Sequence, residues 1–144
     1  MKALFRLILQ TNLRMQIAGI PIKTRQNDGA DLSNVLAASS NTEFVFPEDK
    51  DAYYHLQKNT KWRVYGGACY GYMSLAAGKL DLCYDSGIMR EVDYCALVPI
   101  IEGAGGAMSD WEGEPLTMFS GKKVLAAGDK RLLDTVVSEI KKFR

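Results

Sequence analysis

Residues 62–85 read WRVYGGACYGYMSLAAGKLDLCYD. WRVYG is rich in aromatic and β-branched side chains, which suit a strand. The glycine pair Gly66-Gly67 then breaks the run. YGYMSLAAG follows as a short helix, ended by Gly78. DLCYDS is a second apolar strand candidate. A strand, a glycine turn, a short helix and another strand in so few residues point to an α/β layered fold.

Working outward strengthens that reading. Upstream, NVLAAS is a short buried strand, and PEDKDAYYHLQKN is a helix with Pro47 near its start and acids in its first turn. Downstream, ALVPIIEGAGG is helical, AMSDW is a strand, and DWEGEPL turns around Gly113. KKVLAAG is a last buried strand. DKRLLDTVVSEIKKF then offers Asp129 as N-cap, with Leu132, Leu133, Val136, Val137 and Ile140 on one face. The expectation is a mixed sheet covered by helices, with the terminal helix packed on it. Near the N-terminus, RMQIAGIPIKTR suggests a strand, a turn and an edge strand. RQNDGAD is turn chemistry. LFRLILQ fits a strand or a helical turn equally, so residues 1–18 stay unassigned.

The 144 residues suit one domain with a real core, 1–144. A formal net charge of +1 gives no basic footprint for nucleic acid. Lys141, Lys142 and Arg144 read as favourable charge in the last turn of the terminal helix. Cys69, Cys83 and Cys95 are odd in number and form no CxxC pair, against a disulfide framework or a structural zinc. A reduced, cytoplasmic setting fits. The start MKALFRLILQTN has the outline of a signal peptide, but Arg6 interrupts it and no small-residue cleavage site follows. No stretch reaches the length of a membrane span.

Few residues announce chemistry. His55, the single histidine, reads as structural, and without a partner it supports no Ser-His-Asp or Cys-His mechanism. GGACYG (66–71) could let backbone N–H groups approach a ligand, although tight turns use the same residues. Asp85 ends its strand ahead of Ser86-Gly87. It is either a turn former or an acceptor for a polyol, and the residues alone do not separate the two. Asp93 leads EVDYCALVPIIEGAGG (91–106), with Leu97, Ile100 and Ala104 on its helical face. That places a carboxylate at a helix N-terminus, where the macrodipole keeps it ionised. Such a group can cap the helix or ligate a hard cation such as Mg²⁺. Read alone, capping is the simpler role. Pro99 predicts a kink or a late start in this helix.

The stretch Tyr65–Leu116 resembles the second half of the inositol monophosphatase family, in its histidinol-phosphatase-like branch. The residues that carry this are YGGACYGYMSLAAGKLDLCYDSG and VDYCALVPIIEGAGGAMSDWEGEPL, in the family's order. LAASSNTEF (36–44) and LAAGDKRLLDTVVSEI extend the resemblance on both sides. It implies the layered α/β sugar-phosphatase fold and Mg²⁺-dependent hydrolysis of phosphomonoesters. By position it implies that Asp93 is a metal ligand. Asp85 would stand where the family usually has a substrate-contacting Glu, and Gly67, Ala68 and Cys69 in the turn that touches the substrate. The chain also departs from the pattern. It contains no DPxDGT motif, Ala68 replaces an acid common in that branch, Val92 replaces an aromatic residue, and one extra residue separates Asp85 from Asp93.

Two expectations follow. In the first, the chain is the C-terminal, substrate-recognition half of a Mg²⁺-dependent phosphatase, with little activity alone, completed by an N-terminal half. Its substrate is a phosphorylated small molecule such as histidinol phosphate, an inositol phosphate or a related sugar phosphate. In the second, it is a non-catalytic binding or oligomerisation domain with an apolar face used by a homodimer or another partner.

Overall fold

A computed structural model describes residues 16–17, 19–27 and 31–143. The expectations for LFRLILQ and for the Asp28-Gly29 turn lie outside them. Gln16–Ile17 (β1) and Ile20–Pro21 (β2) pair antiparallel as a small hairpin, as the sequence predicts. The main sheet has five strands: Leu36–Ser39 (β3), Trp62–Tyr65 (β4), Leu82–Asp85 (β5), Ala107–Ser109 (β6) and Val124–Ala127 (β7). Their spatial order is β4-β3-β5-β7-β6. β3, β4 and β5 run parallel, while β7 is antiparallel to both β5 and β6. The sheet is therefore mixed, as expected.

Among the described residues four α-helices cover it: Lys50–Asn59 (α1), Ala68–Ala76 (α2), Glu91–Gly103 (α3) and Lys130–Lys141 (α4). Side chains alternate across the strands, and this alternation builds two cores. On one face Ala37, Leu82, Tyr84, Leu125 and Ala127 meet Tyr53 and Leu56 of α1 and Leu132, Val136 and Ile140 of α4. On the other face Ala38, Cys83, Val124 and Ala126 meet Tyr72 and Leu75 of α2 and Tyr94, Leu97 and Ile101 of α3. β5 and β7 are buried at every position, which is why they read as continuous apolar runs instead of alternating ones. The result is a three-layer sandwich, helices on both faces of one sheet.

Local expectations fare well, with three adjustments. Asp129 caps α4 as predicted, accepting from the Leu132 amide at 2.9 Å. β6 stops at Ser109 instead of running to Trp111. Asp110 turns the chain by accepting from the Glu112 and Glu114 amides, and Trp111 drops into the core. α2 starts at Ala68, directly after the glycine pair. α3 starts at Glu91, so Pro99 does not delay it. The capping at its first turn and the burial of Tyr94, Leu97, Val98 and Ile101 outweigh the one hydrogen bond that Pro99 cannot make.

One end of the sheet is closed by the segment Ile22–Asn27. Thr24 donates its amide to the Ala104 carbonyl at 3.0 Å, Gln26 donates its side chain to the Gly128 carbonyl at 3.0 Å, and Arg25 reaches Asp81 at 3.4 Å. The backbone passes so close to Gly128 that a Cβ there would lie 2.1 Å from the Arg25 oxygen. Only glycine admits that approach. No helix among the described residues is long and apolar enough to cross a membrane.

Candidate functional site

The opposite end of the sheet carries the cleft. β3, β4 and β5 are parallel, so their carboxyl ends come together there. Ser39 and Ser40 close β3, Gly66, Gly67 and Ala68 follow β4, and Asp85 ends β5. With Gly71, Tyr72, Cys83 and Ala38 they line a shallow cleft with about 160 Å³ of open space. Open α/β sheets bind ligands at this end, because loops leaving parallel strands diverge there.

The cleft is built around Asp85, which is 1% exposed. Its Oδ1 accepts from the Ser40 amide at 2.7 Å and from Ser39 Oγ at 3.3 Å. Its Oδ2 accepts from Ser40 Oγ and from the Tyr72 hydroxyl, both at 2.9 Å. Tyr53 of α1 donates to Ser39 Oγ at 2.6 Å, so both helical layers are tied to one carboxylate. Burial raises the Asp85 pKa above its ordinary 3.8, against the opposing pull of those four donors. Burial likewise pushes the Tyr72 hydroxyl and the Cys83 thiol well up, with the Asp85 charge adding to both. Tyr53 is pushed up to about 12, chiefly by burial. At neutral pH the two phenols and the thiol are protonated.

The glycine turn makes the second wall. Gly66 and Gly67 have φ of +86° and +61°, values that L side chains rarely adopt. The Gly66 amide donates to the Ser39 and Ser40 carbonyls at 3.3 and 3.1 Å. α2 begins immediately afterwards, and its first turn has no side-chain cap. Those amide groups face outward at a positive dipole end. A third element braces the segment after β5. Ser86 Oγ donates to the buried Asp49 at 2.6 Å, and Lys123 Nζ pairs with Asp49 at 2.9 Å.

Of the residues singled out from the sequence, Gly67, Ala68 and Asp85 meet in the cleft. Cys69 is exposed, one residue beyond the lining residue Ala68. Asp93 is exposed in the first turn of α3, where its Oδ2 accepts from the Arg90 amide at 3.0 Å. This is the reciprocal half of a capping box. Asp93 does not line the cleft, but its charge reaches Tyr72 and contributes to that raised pKa. Ser39, Ser40 and Tyr72 were not singled out from the sequence. The signal available was the pair Ser39-Ser40 closing the apolar run LAA, where a buried strand end needs polar partners.

A Mg²⁺ ion takes six oxygen ligands in near-octahedral array. Among the described residues no group of three or more His, Cys, Asp or Glu side chains could hold a metal. Asp93 offers one carboxylate, already engaged at one oxygen. The donor set present does not by itself fit Mg²⁺.

The fold is a three-layer α/β/α unit with a cleft at the carboxyl ends of its parallel strands. Its class is fixed by comparison: residues 7–143 match the inositol monophosphatase family, and the chain belongs to that family. The bifunctional phosphatase IMPL2, chloroplastic, of Arabidopsis thaliana is 34% identical over 123 residues, covering 81% of this chain and 35% of that protein. The histidinol-phosphatase of Chlorobaculum parvum is 35% identical over 63 residues, 44% of this chain and 24% of that protein. Among solved structures, an inositol monophosphatase from Zymomonas mobilis superposes with a TM-score of 0.81 at 33% identity, covering 88% of this chain and 49% of that one. The Thermotoga maritima IMPase shares the fold, with a TM-score of 0.71 at 20% identity. The chain thus spans about a third or less of the curated relatives and about half of the solved structures.

Proposed function

We propose that this chain is the substrate-recognition half of a Mg²⁺-dependent phosphomonoesterase. The family match over residues 7–143 carries the reading, and the cleft at the carboxyl ends of β3, β4 and β5 supports it. The ligand is a phosphorylated small molecule. Histidinol phosphate, an inositol phosphate and a related sugar phosphate are the candidates, the first being the one to which the name of the histidinol-phosphatase relative points. In this reading Gly67, Ala68 and Cys69 form the turn against which the non-phosphate part of the substrate packs, with Asp85 behind it. Asp93 supplies one ligand to a Mg²⁺ site whose other oxygens come from an N-terminal half. Such a metal would activate water and offset phosphoryl charge.

The chain's own residues orient the substrate and keep the cleft floor dry. Protonated Tyr72 and Cys83 add no charge there. One carboxylate binds Mg²⁺ weakly, so the isolated chain has little or no turnover. The test is a Mg²⁺-dependent phosphate-release assay on histidinol phosphate, inositol 1-phosphate and other sugar phosphates, with and without a supplied N-terminal half. Turnover that appears only with the second half, and is lost in Asp93→Asn, supports the reading. No turnover and no ligand binding in either arrangement refutes it.

A further inference from the structure

The Asp85 carboxylate has about four lone-pair sites to offer, two on each oxygen. Four donors fill them: the Ser40 amide, the Ser39 and Ser40 hydroxyls and the Tyr72 hydroxyl. None is left for a substrate hydroxyl. The side chain is also turned away from solvent, at 1% exposure, although it lies at the cleft. A carboxylate acting as a direct ligand for a polyol needs at least one accessible lone pair.

What the carboxylate does hold is the backbone. It grips Ser40 at two points, the amide and the hydroxyl. The carbonyls of Ser39 and Ser40 in turn receive the Gly66 amide. The Gly67 carbonyl accepts from the Gly71 amide at 3.0 Å, which ties the turn to α2. Glycine has the widest backbone freedom of any residue, and a Cβ at Gly66 would meet nothing within 4 Å. The turn is thus kept in place from behind, through Ser40, and from the helix side, through Tyr72.

We propose that Asp85 is a positioning residue, which fixes the Ser39-Ser40 turn and through it the Gly66-Gly67 turn, and makes no direct contact with the ligand. The proposal rests on reading the cleft as the substrate pocket. It also assigns a purpose to the shorter side chain. A Glu at this position would carry its carboxylate past the four donors.

The experiment is ¹H–¹⁵N NMR of the full chain without ligand, for the wild type, Asp85→Asn and Asp85→Glu, followed by titration with inositol 1-phosphate and histidinol phosphate. Both substitutions are expected to shift the Ser40 and Gly66 amides, while Asp81 and Gly128 at the far end of the sheet stay in place. Both are expected to weaken binding about tenfold, the equivalent of 1.4 kcal/mol. Should Asp85→Asn fail to fold, Ser40→Ala removes one of the four contacts and is read the same way. A Gly66 amide that ignores these changes overturns the proposal, as does an Asp85→Glu chain that binds as well as the wild type or better. A wild type that binds neither probe breaks the substrate reading alone, because the ligand-free amide shifts still decide the role of Asp85.

Discussion

Strand β5 is bracketed by two aspartates, Asp81 before Leu82 and Asp85 at its end, both 1% exposed. They share residue type, strand and burial, yet the two ends of the sheet are built differently. Asp81 sits under the Ile22–Asn27 segment. Its Oδ2 accepts from the Leu36 amide at 2.8 Å and from Arg25, while its Oδ1 has no partner among the described residues. There the closure is made by backbone crossing close to backbone, with Gly128 as the point of contact. Asp85 sits at the cleft with every lone pair used, in a network of side chains. One end is sealed by steric fit, the other held open by saturated hydrogen bonds. Buried polar groups at a strand end do not by themselves mark a ligand site. What separates the two ends is whether backbone covers them.

The largest effect should come from the sealed end. Gly128→Ala sets a methyl 2.1 Å from the Arg25 oxygen, so backbone must move. A loss of about 3 kcal/mol is expected, at the upper end for overpacking. Gly66→Ala at the cleft meets no atom within 4 Å and carries only the strain of φ +86°, about 1–2 kcal/mol. Urea denaturation of the two variants checks the order. Equal losses would break the contrast between the sealed end and the open one.

The second comparison is between the aspartates. Asp85→Ala strands four donors and should cost about 2–3 kcal/mol, whereas Asp81→Ala strands chiefly the Leu36 amide and should cost about 1–2 kcal/mol. The pH profile sharpens this. Burial raises Asp85 above its ordinary 3.8, so the folded state holds that proton more tightly than the unfolded one. Its contribution to stability therefore falls as pH rises from about the ordinary carboxylate range through the folded value, then stays level. Asp85→Asn should flatten that part of the curve in pH-dependent thermal melts, and a curve of unchanged shape counts against it.

The sealed and buried parts were the more legible from sequence. LAAS, DLCYD and VLAA announce strands because both their faces are covered, leaving short unbroken apolar runs. DKRLLDTVVSEIKKF announces a helix because only one of its faces is. The glycine turn at 66–67 was legible as a turn. The roles within the cleft were not, because they depend on pairings remote along the chain. Ser40 meets Asp85 across 45 residues, and Tyr72 meets it across 13. No local pattern encodes such partners. Asp93 was ambiguous between cap and metal ligand, and its contact with the Arg90 amide is the cap's. That contact uses one oxygen and is compatible with the proposed ligand role for the other.

Asp93 allows a smaller test. It is exposed, so Asp93→Ala should cost only about 0.5–1 kcal/mol, as for other lost caps. In a Mg²⁺ titration followed by NMR, the wild type should show weak, non-saturating shifts at the first turn of α3, absent from Asp93→Ala. Shifts that survive the substitution would move the cation site elsewhere.

The smallest expected effect lies far from the cleft, where α1 meets α4. Glu139 accepts from Lys142 and pairs with His55 Nε2 at 2.9 Å. The Lys142 hydrogen bond chiefly, with His55 contributing less, holds its carboxyl below the usual 4.5 against the opposing effect of burial. The sign is opposite to that of Asp85: this contribution is present above the ordinary carboxylate value and is lost as pH falls through the lowered one. The Glu139 side chain is partly exposed, at 22%, so Glu139→Gln should cost no more than about 1 kcal/mol at neutral pH, and less at high salt. Melts of Glu139→Gln and Asp85→Asn across the acid range should then bend in opposite directions relative to the wild type. Two variants bending the same way would mean that burial, and not pairing, governs the carboxyl on α4.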